Sequence, residues 1–175
     1  MLVASFFLLM GPAVAVEPNH PYRQHWKKAT YGRNAVIGVT AKATFGQIIN
    51  RPSQYGRGAA GFGKRMGFGF ATHAVKTTVE HVVAAPLHED LHYHRSTDPR
   101  FGPRIRHALV STVVTQNTHT GKRVPAMGRL SGNAAAGTFA ALVVPAASGA
   151  STAGLGLAAD AGANVVREFW PRKHR

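Results

Sequence analysis

Carboxylate, imidazole, phenol and guanidinium side chains converge in one stretch of this chain, Pro86–Arg106, which reads PLHEDLHYHRSTDPRFGPRIR. It holds three of the seven acidic residues, three of the ten histidines and four arginines. His88, Asp90, His92 and His94, with His81 upstream, are ligand types that zinc accepts. Alternate residues of an extended segment share a face, so a His-x-His pair can chelate there. A hydrolytic reading would make Asp90 or Glu89 the general base with His88 as its partner. No Gly-x-Ser-x-Gly, paired-carboxylate spacing or nucleophile signature accompanies it, and no catalytic residue is assigned. The leading expectation is a polar connector. The segment leaves a helix stopped at Pro86 and enters another that starts near Pro103, so terminal amides and carbonyls need partners there. His88, Asp90, Tyr93, Arg95 and Arg104 are expected to form one hydrogen-bonded cluster, with Asp90 accepting from arginine. No cofactor is required by this reading; zinc is the alternative.

The elements that must position this stretch are helical in pattern. Val36, Val39, Ala43, Ile48 and Ile49 predict a helix over 35–49, ended by Asn50-Arg51-Pro52-Ser53. Phe62, Met66, Phe70, Val75, Val79 and Val82 predict a longer one over 59–83. Ile105, Leu109, Thr112, Val113 and Gln116 give one apolar side after Pro103. The turn NTHTGKR, residues 117–123, lies between β-branched Val113-Val114-Thr115 and Val124, which predicts a short β-hairpin near 113–125.

Small residues recur at helical spacing in three places: Gly63, Gly67 and Ala71; Gly128, Gly132 and Ala136, continuing to Ala140; and Gly154, Ala158 and Gly162. Glycine inside a helix costs about 1 kcal/mol relative to alanine. Three such stripes therefore predict helices that use the missing side chains to approach closely. The fold expected is mainly α, a bundle of four to five helices packed through small-residue seams, in the manner of a glycine zipper.

Other glycines invite a different reading. Gly56, Gly58 and Gly61 spell G-x-G-x-x-G, and Gly58 to Lys64 spells G-x-x-x-x-G-K. Both loops need a strand before them, and residues 50–54 contain Pro52 and no β-branched run. Arg65 also stands where a phosphate loop has Ser or Thr. Nucleotide binding is not expected.

Residues 1–15, MLVASFFLLMGPAVA, read as a secretory signal, with an apolar run, a Gly11-Pro12 breaker and Ala13-Val14-Ala15 as a cleavage site. No Lys or Arg precedes the run, which leaves the position of the true start open. The absence of cysteine fits export without disulfides. The remainder divides into an extended basic arm over 16–34, a single helical domain over 35–170 and a basic tail over 171–175. Trp26, Tyr22 and Tyr31 are the arm's docking side chains. The formal charge is +14, from 21 Lys plus Arg against seven Asp plus Glu, and calls for an anionic neighbour. Export disfavours nucleic acid, and no nucleic-acid-binding module is recognisable. The uncharged run between Arg129 and Asp160 is interrupted by Pro145 and Ser148-Gly149-Ala150-Ser151, leaving halves shorter than the roughly 20 residues of a membrane span. A buried helical hairpin is preferred to an inserted one.

Pro52, Tyr55-Gly56, Gly58, Gly61, Gly63-Lys64-Arg65, Leu87-His88, Asp90, Tyr93, Arg95, Gly121, Pro125, Gly132-Asn133, Ala135 and Pro145-Ala146 together resemble the pattern of a family of uncharacterised exported bacterial proteins. That pattern runs P-x-x-Y-G-x-G-x-x-G-x-G-K-R, then L-H-x-D-x-x-Y-x-R, then G-N-x-A-x-G, and the resemblance covers about residues 52–170. Leu91 and His92 depart from it, standing where the family commonly has proline and arginine. Asp98-Pro99-Arg100 repeats that tripeptide later. The resemblance implies a signal-bearing, largely helical protein, and it supplies no mechanism. The function expected is that of an exported structural or interaction protein of the periplasm or outer membrane, held at an anionic surface and self-associating through small-residue faces. A metal- or small-ligand-binding protein using residues 88–95 is the alternative, and a hydrolase the third.

Overall fold

A computed structural model of the protein describes residues 21–144 and 149–170. The expected signal at 1–15, the start of the arm, the Pro145–Ser148 break and the basic tail lie outside the described residues. Those described form six α-helices and a two-stranded antiparallel hairpin. The helices are α1 Pro21–Tyr31, α2 Arg33–Ile48, α3 Ala59–Ala84, α4 Phe101–Val110, α5 Met127–Val143 and α6 Gly149–Phe169; a 3-10 turn spans Ser53–Tyr55. Strands β1 Val114–Gln116 and β2 Arg123–Pro125 pair with Val114 opposite Pro125 and Gln116 opposite Arg123. Gly121, at φ +66°, takes the left-handed position of the hairpin loop. The helical bundle and the hairpin are those the sequence predicts.

The extended arm is corrected: residues 21–31 and 33–48 are helical. Pro21 stands at the first helical position, where its missing N–H costs nothing. The inward face of α1 is polar, so no hydrophobic period announces it. His25, Trp26, Ala29 and Thr30, one helical face, bond to α3 through His25 Nδ1···His81 Nε2 at 2.9 Å, Trp26 Nε1–Thr78 Oγ1 at 3.1 Å, His73 Nε2–Ala29 O at 3.0 Å and Thr30 Oγ1···Thr77 Oγ1 at 2.8 Å. Trp26 is thus an internal anchor, while Tyr31 is exposed.

Helix α5 is central, packed against α3 on one side and α6 on the other. The seam expected at Gly128, Gly132, Ala136 and Ala140 is present. A Cβ on Gly128 would lie 2.7 Å from the carbonyl oxygen of Glu80, and one on Gly132 would lie 2.6 Å from that of Lys76. Ala136 and Ala140 are buried beside them. The other two seams are corrected: Gly63, Gly67, Gly154 and Gly162 face open space. Different glycines make those approaches. Gly69 meets Val39, while α6 meets α5 where Gly137 abuts Gly149 and Gly156 abuts Asn133. Spacing of four identifies a face but does not say whether that face has a neighbour.

The interior is built from small and polar groups. Its buried apolar residues are Ala35, Val39, Ala43, Ala84, Ala108, Ala126, Ala136, Ala140 and Val144, and the largest fully buried side chains include Glu89, Glu168 and Asn133. Ile37, Phe45, Ile48, Leu142, Leu155 and Trp170 are all more than half exposed. Alanine removes little apolar area from water, at roughly 25 cal/mol per Å². Cohesion therefore rests more on close backbone contact and on internal hydrogen bonds.

Arg65 illustrates how those bonds organise the glycine-rich stretch. It is 4% exposed. Its Nε donates to Arg51 O at 3.0 Å, Nη1 to Gln47 Oε1 and Gly56 O at 2.6 and 2.8 Å, and Nη2 to Asn50 Oδ1 and Pro52 O at 3.1 and 3.0 Å. All five guanidinium protons are used. No carboxylate is among these partners, and the charge sits instead against the negative end of α2. Gly56 and Gly58, at φ +69° and +88°, carry the chain round this side chain into α3. A 3-10 turn, not a strand, precedes these glycines.

Candidate functional site

Residues 85–88 turn out of α3, and segment 89–96 runs extended beside the hairpin. Glu89 forms a β-bridge with Asn117, Asp90 N donates to Gln116 O at 2.8 Å, and Thr118 N donates to His88 O at 2.7 Å. Extended backbone turns alternate side chains to opposite sides, which decides each residue's part. Glu89 and Tyr93 point inward, while His88, His92 and His94 are exposed.

The single cluster expected from His88, Asp90, Tyr93, Arg95 and Arg104 is therefore corrected to two. Inside, the acceptor is Glu168 of α6. It is fully buried and accepts from Tyr93 Oη at 2.7 Å, Ser96 N at 3.1 Å, Arg104 Nε at 2.9 Å and, through its backbone carbonyl, Arg104 Nη2. Burial alone would raise the Glu168 carboxyl, but these donors hold it below its ordinary value. The Tyr93 phenol is pushed well up, first by burial and then by its bond to Glu168. Outside, Asp90 binds its own neighbours: Oδ1 accepts from His92 N at 2.8 Å and His92 Nδ1 at 3.1 Å, and Oδ2 from His94 Nε2 at 2.7 Å. Burial opposes ionisation of Asp90, yet the His94 and His92 bonds keep its carboxyl low. Arg95 joins neither cluster by a hydrogen bond or ion pair among the described residues. His88, at φ +52°, stacks on His119 with ring centres 3.8 Å apart.

That geometry also corrects the zinc set. His88 is carried away from His92 and His94, whose nitrogens turn to Asp90. Among the described residues, no group of three or more His, Cys, Asp or Glu is disposed to hold a metal ion. The hydrolytic pairing is likewise unassembled. Glu89 is buried at the start of α5, where its two oxygens accept from Met127 N and Gly128 N, each at 2.9 Å. Ser111 Oγ lies 3.4 Å from His107 Nε2, but that nitrogen also lies 2.8 Å from the carbonyl oxygen of His94. A carbonyl only accepts, so Nε2 carries the proton and is no base toward Ser111.

Several participants escape a reading confined to residues 86–106. Asp160 takes a bidentate bond from Lys76 Nζ at 2.5 and 2.6 Å and another from Asn133 Nδ2 at 3.0 Å. Arg129, 9% exposed, reaches Ser111 O at 2.5 Å and lies 3.7 Å from Glu80. The signal was available in Asp160, Asn164 and Glu168, and in Arg129 and Asn133: polar residues four apart in Ala/Gly-rich helices. Asn133 Oδ1 is the one buried side-chain polar atom without a partner among the described residues. It lies where a Gly156 Cβ would stand, along a Cα–H bond of that glycine. His25 also arrives here, its ring centre 4.5 Å from that of His92. His81 Nδ1 donates to Thr77 O at 2.7 Å, so His81 Nε2 accepts from His25 Nδ1.

Two solvent-open grooves of about 530 Å³ each flank the segment and share His92, Tyr93 and Arg129. One has mixed charge, with Lys76, Glu80 and Asp160 in its wall. The other, between residues 92–96, α4 and the hairpin, is lined by Arg106, Arg123, Arg129, His94 and His107 and by no Asp or Glu. The chain matches no protein-family model, no curated protein and no solved structure.

Proposed function

We propose that this protein is an exported, basic helical interaction protein that docks on an anionic surface of the cell envelope, in the periplasm or at the outer membrane. The observation that supports this reading is where the acids go. Glu80, Glu89, Asp90, Asp98, Asp160 and Glu168 each hold a partner within the fold. Among the described residues, the Lys and Arg side chains within ion-pair distance of a carboxylate are Lys76, Arg100, Arg104 and Arg129. Exposed Arg23, Lys27, Lys28, Arg33, Lys64, Lys122 and Arg123 are left facing outward without an acidic partner. Near an anionic membrane each such cation adds about 1 kcal/mol. No helix among the described residues is long and apolar enough to cross a membrane, so attachment is expected to be peripheral. Fractionation of cells tests this. The protein should enter the envelope pellet at low salt and leave it in high salt; retention through high salt and carbonate, with release only by detergent, contradicts it.

A second reading, self-association, is favoured by the exposed face of α6. Gly154, Leu155, Ala158, Ala159, Gly162, Ala163, Val166 and Trp170 form a continuous small and apolar stripe. Light scattering during gel filtration checks it: a mass above one chain that Ala158→Glu reduces to one chain supports it, and a monomer at all concentrations refutes it.

A further inference from the structure

The groove between segment 92–96, α4 and the hairpin carries a more specific assignment. Its walls are set by regular geometry. Pro103, Arg106, His107 and Val110 fall on one face of α4, three and four residues apart, and Arg123 is fixed opposite Gln116 by the hairpin register. Arg129, at its inner end, is nine-tenths buried. Nη1 alone of its nitrogens makes hydrogen bonds among the described residues, to Ser111 O and Thr112 O. Its Nη2 donors remain for an incoming group. Arg106 and Arg123 are exposed and make no internal hydrogen bond or ion pair among the described residues.

Three guanidiniums around one groove repel one another; Glu80, 3.7 Å from Arg129 Nε, offsets one of them, and no carboxylate lines the groove to offset Arg106 and Arg123. Elsewhere this chain pairs or buries its acids, so the missing counter-charge must come from outside. A carboxylate offers one negative charge and two oxygens. A phosphate monoester carries about 1.5 to 2 negative charges near neutral pH and three terminal oxygens. That matches three arginines together with the hydroxyl of Ser111, which also lines the groove. The volume of about 530 Å³ lies within the range of roughly 300–1,000 Å³ usual for small-ligand sites. It has room for a glycerol-sized group behind the phosphate.

We infer that Arg106, Arg123 and Arg129 form a binding site for a phosphate monoester, presented either by a small soluble molecule or by a lipid headgroup. The inference does not depend on docking at the envelope, because soluble ligand tests it without a membrane.

The test is calorimetric titration of the full chain with glycerol 3-phosphate. Arg106→Gln/Arg123→Gln is compared with Lys27→Gln/Lys28→Gln, which removes the same charge from α1. The arginines exchanged are exposed, so both variants should keep the native circular dichroism and melting temperature. Affinity should fall by roughly tenfold or more in the groove variant, as expected when charge-assisted bonds are lost, and by less than about twofold in the control. No binding to the native chain, or equal weakening in both variants, overturns the site. Vesicles containing phosphatidic acid then separate the sources. Displacement from them by glycerol 3-phosphate, lost in the groove variant, assigns the headgroup; calorimetric binding without such displacement assigns the soluble ester.

Discussion

Two glycines of the same apparent pattern should respond oppositely to one methyl group. At Gly132 a Cβ would sit 2.6 Å from Lys76 O and 3.0 Å from Glu80 Cβ, where ordinary contact begins at 3.4 Å. Helices α3 and α5 would have to separate by several tenths of an ångström along their shared seam, because a backbone carbonyl cannot rotate away. Overpacking of this kind costs about 1–3 kcal/mol. The intrinsic preference of a helix for alanine over glycine returns about 1 kcal/mol. Gly132→Ala should therefore destabilise by up to about 2 kcal/mol, or by up to roughly 8 °C in melting temperature for a chain of this size. At Gly67 nothing lies within 4 Å of the added Cβ. Only the preference remains there, and Gly67→Ala should stabilise by up to about 1 kcal/mol. Urea and thermal unfolding followed by circular dichroism measure both. Equal shifts of the two variants, in either direction, refute the assignment of the seam to α3 and α5.

Other consequences follow from the two polar clusters and from α1. Glu168→Gln leaves Arg104 without its counter-charge and should cost about 2–3 kcal/mol in urea unfolding, below the full buried-pair penalty because Arg104 stays partly wet. Asp90→Ala should cost less than about 1 kcal/mol in the same assay, since its His92 and His94 partners are exposed. The His25 and His73 imidazoles are held below their ordinary pKa of 6.5, each first by burial. Neighbouring His92, His81 and Lys28 add to this for His25 against Asp90; Lys76 and Lys42 add to it for His73 against the Ala29 carbonyl bond and Glu80. Folding therefore favours their neutral forms. The stability they give is present above about pH 6.5 and is lost as pH falls below it. In a Trp170→Phe background, Trp26 fluorescence should report loosening of α1 on acidification, and His25→Gln should flatten that response.

Legibility in the sequence followed the kind of contact each element makes. Helices α2, α3 and α4 and the hairpin were readable because apolar periodicity, Pro52 and Pro103, and the Asn117–Arg123 turn all bear on local structure. Helix α1 was not, because its inward face is His25, Trp26, Ala29 and Thr30, which hydrogen-bond rather than exclude water. Small-residue spacing located all three stripes, but only Gly128–Gly132–Ala136 found a neighbour, since spacing carries no information about what packs opposite. The connector was recognised in Pro86–Arg106, yet its buried acceptor, Glu168, lies 64 residues beyond Arg104. Asp90, in the same stretch as Arg95 and Arg104, which it is expected to bind, is turned outward by strand alternation. Local reasoning paired the nearest charges, whereas the fold paired those that helices α4 and α6 bring together.

Acids paired inside the fold leave a basic surface, for which an anionic partner is proposed. Co-sedimentation of the purified chain with phosphatidylglycerol vesicles, against phosphatidylcholine vesicles, across a salt titration tests it most directly. Binding is expected on the anionic vesicles alone, weakening by roughly tenfold or more as the Debye length falls from about 10 Å toward 3 Å. Binding that is equal on both vesicles, or unchanged by salt, would contradict it.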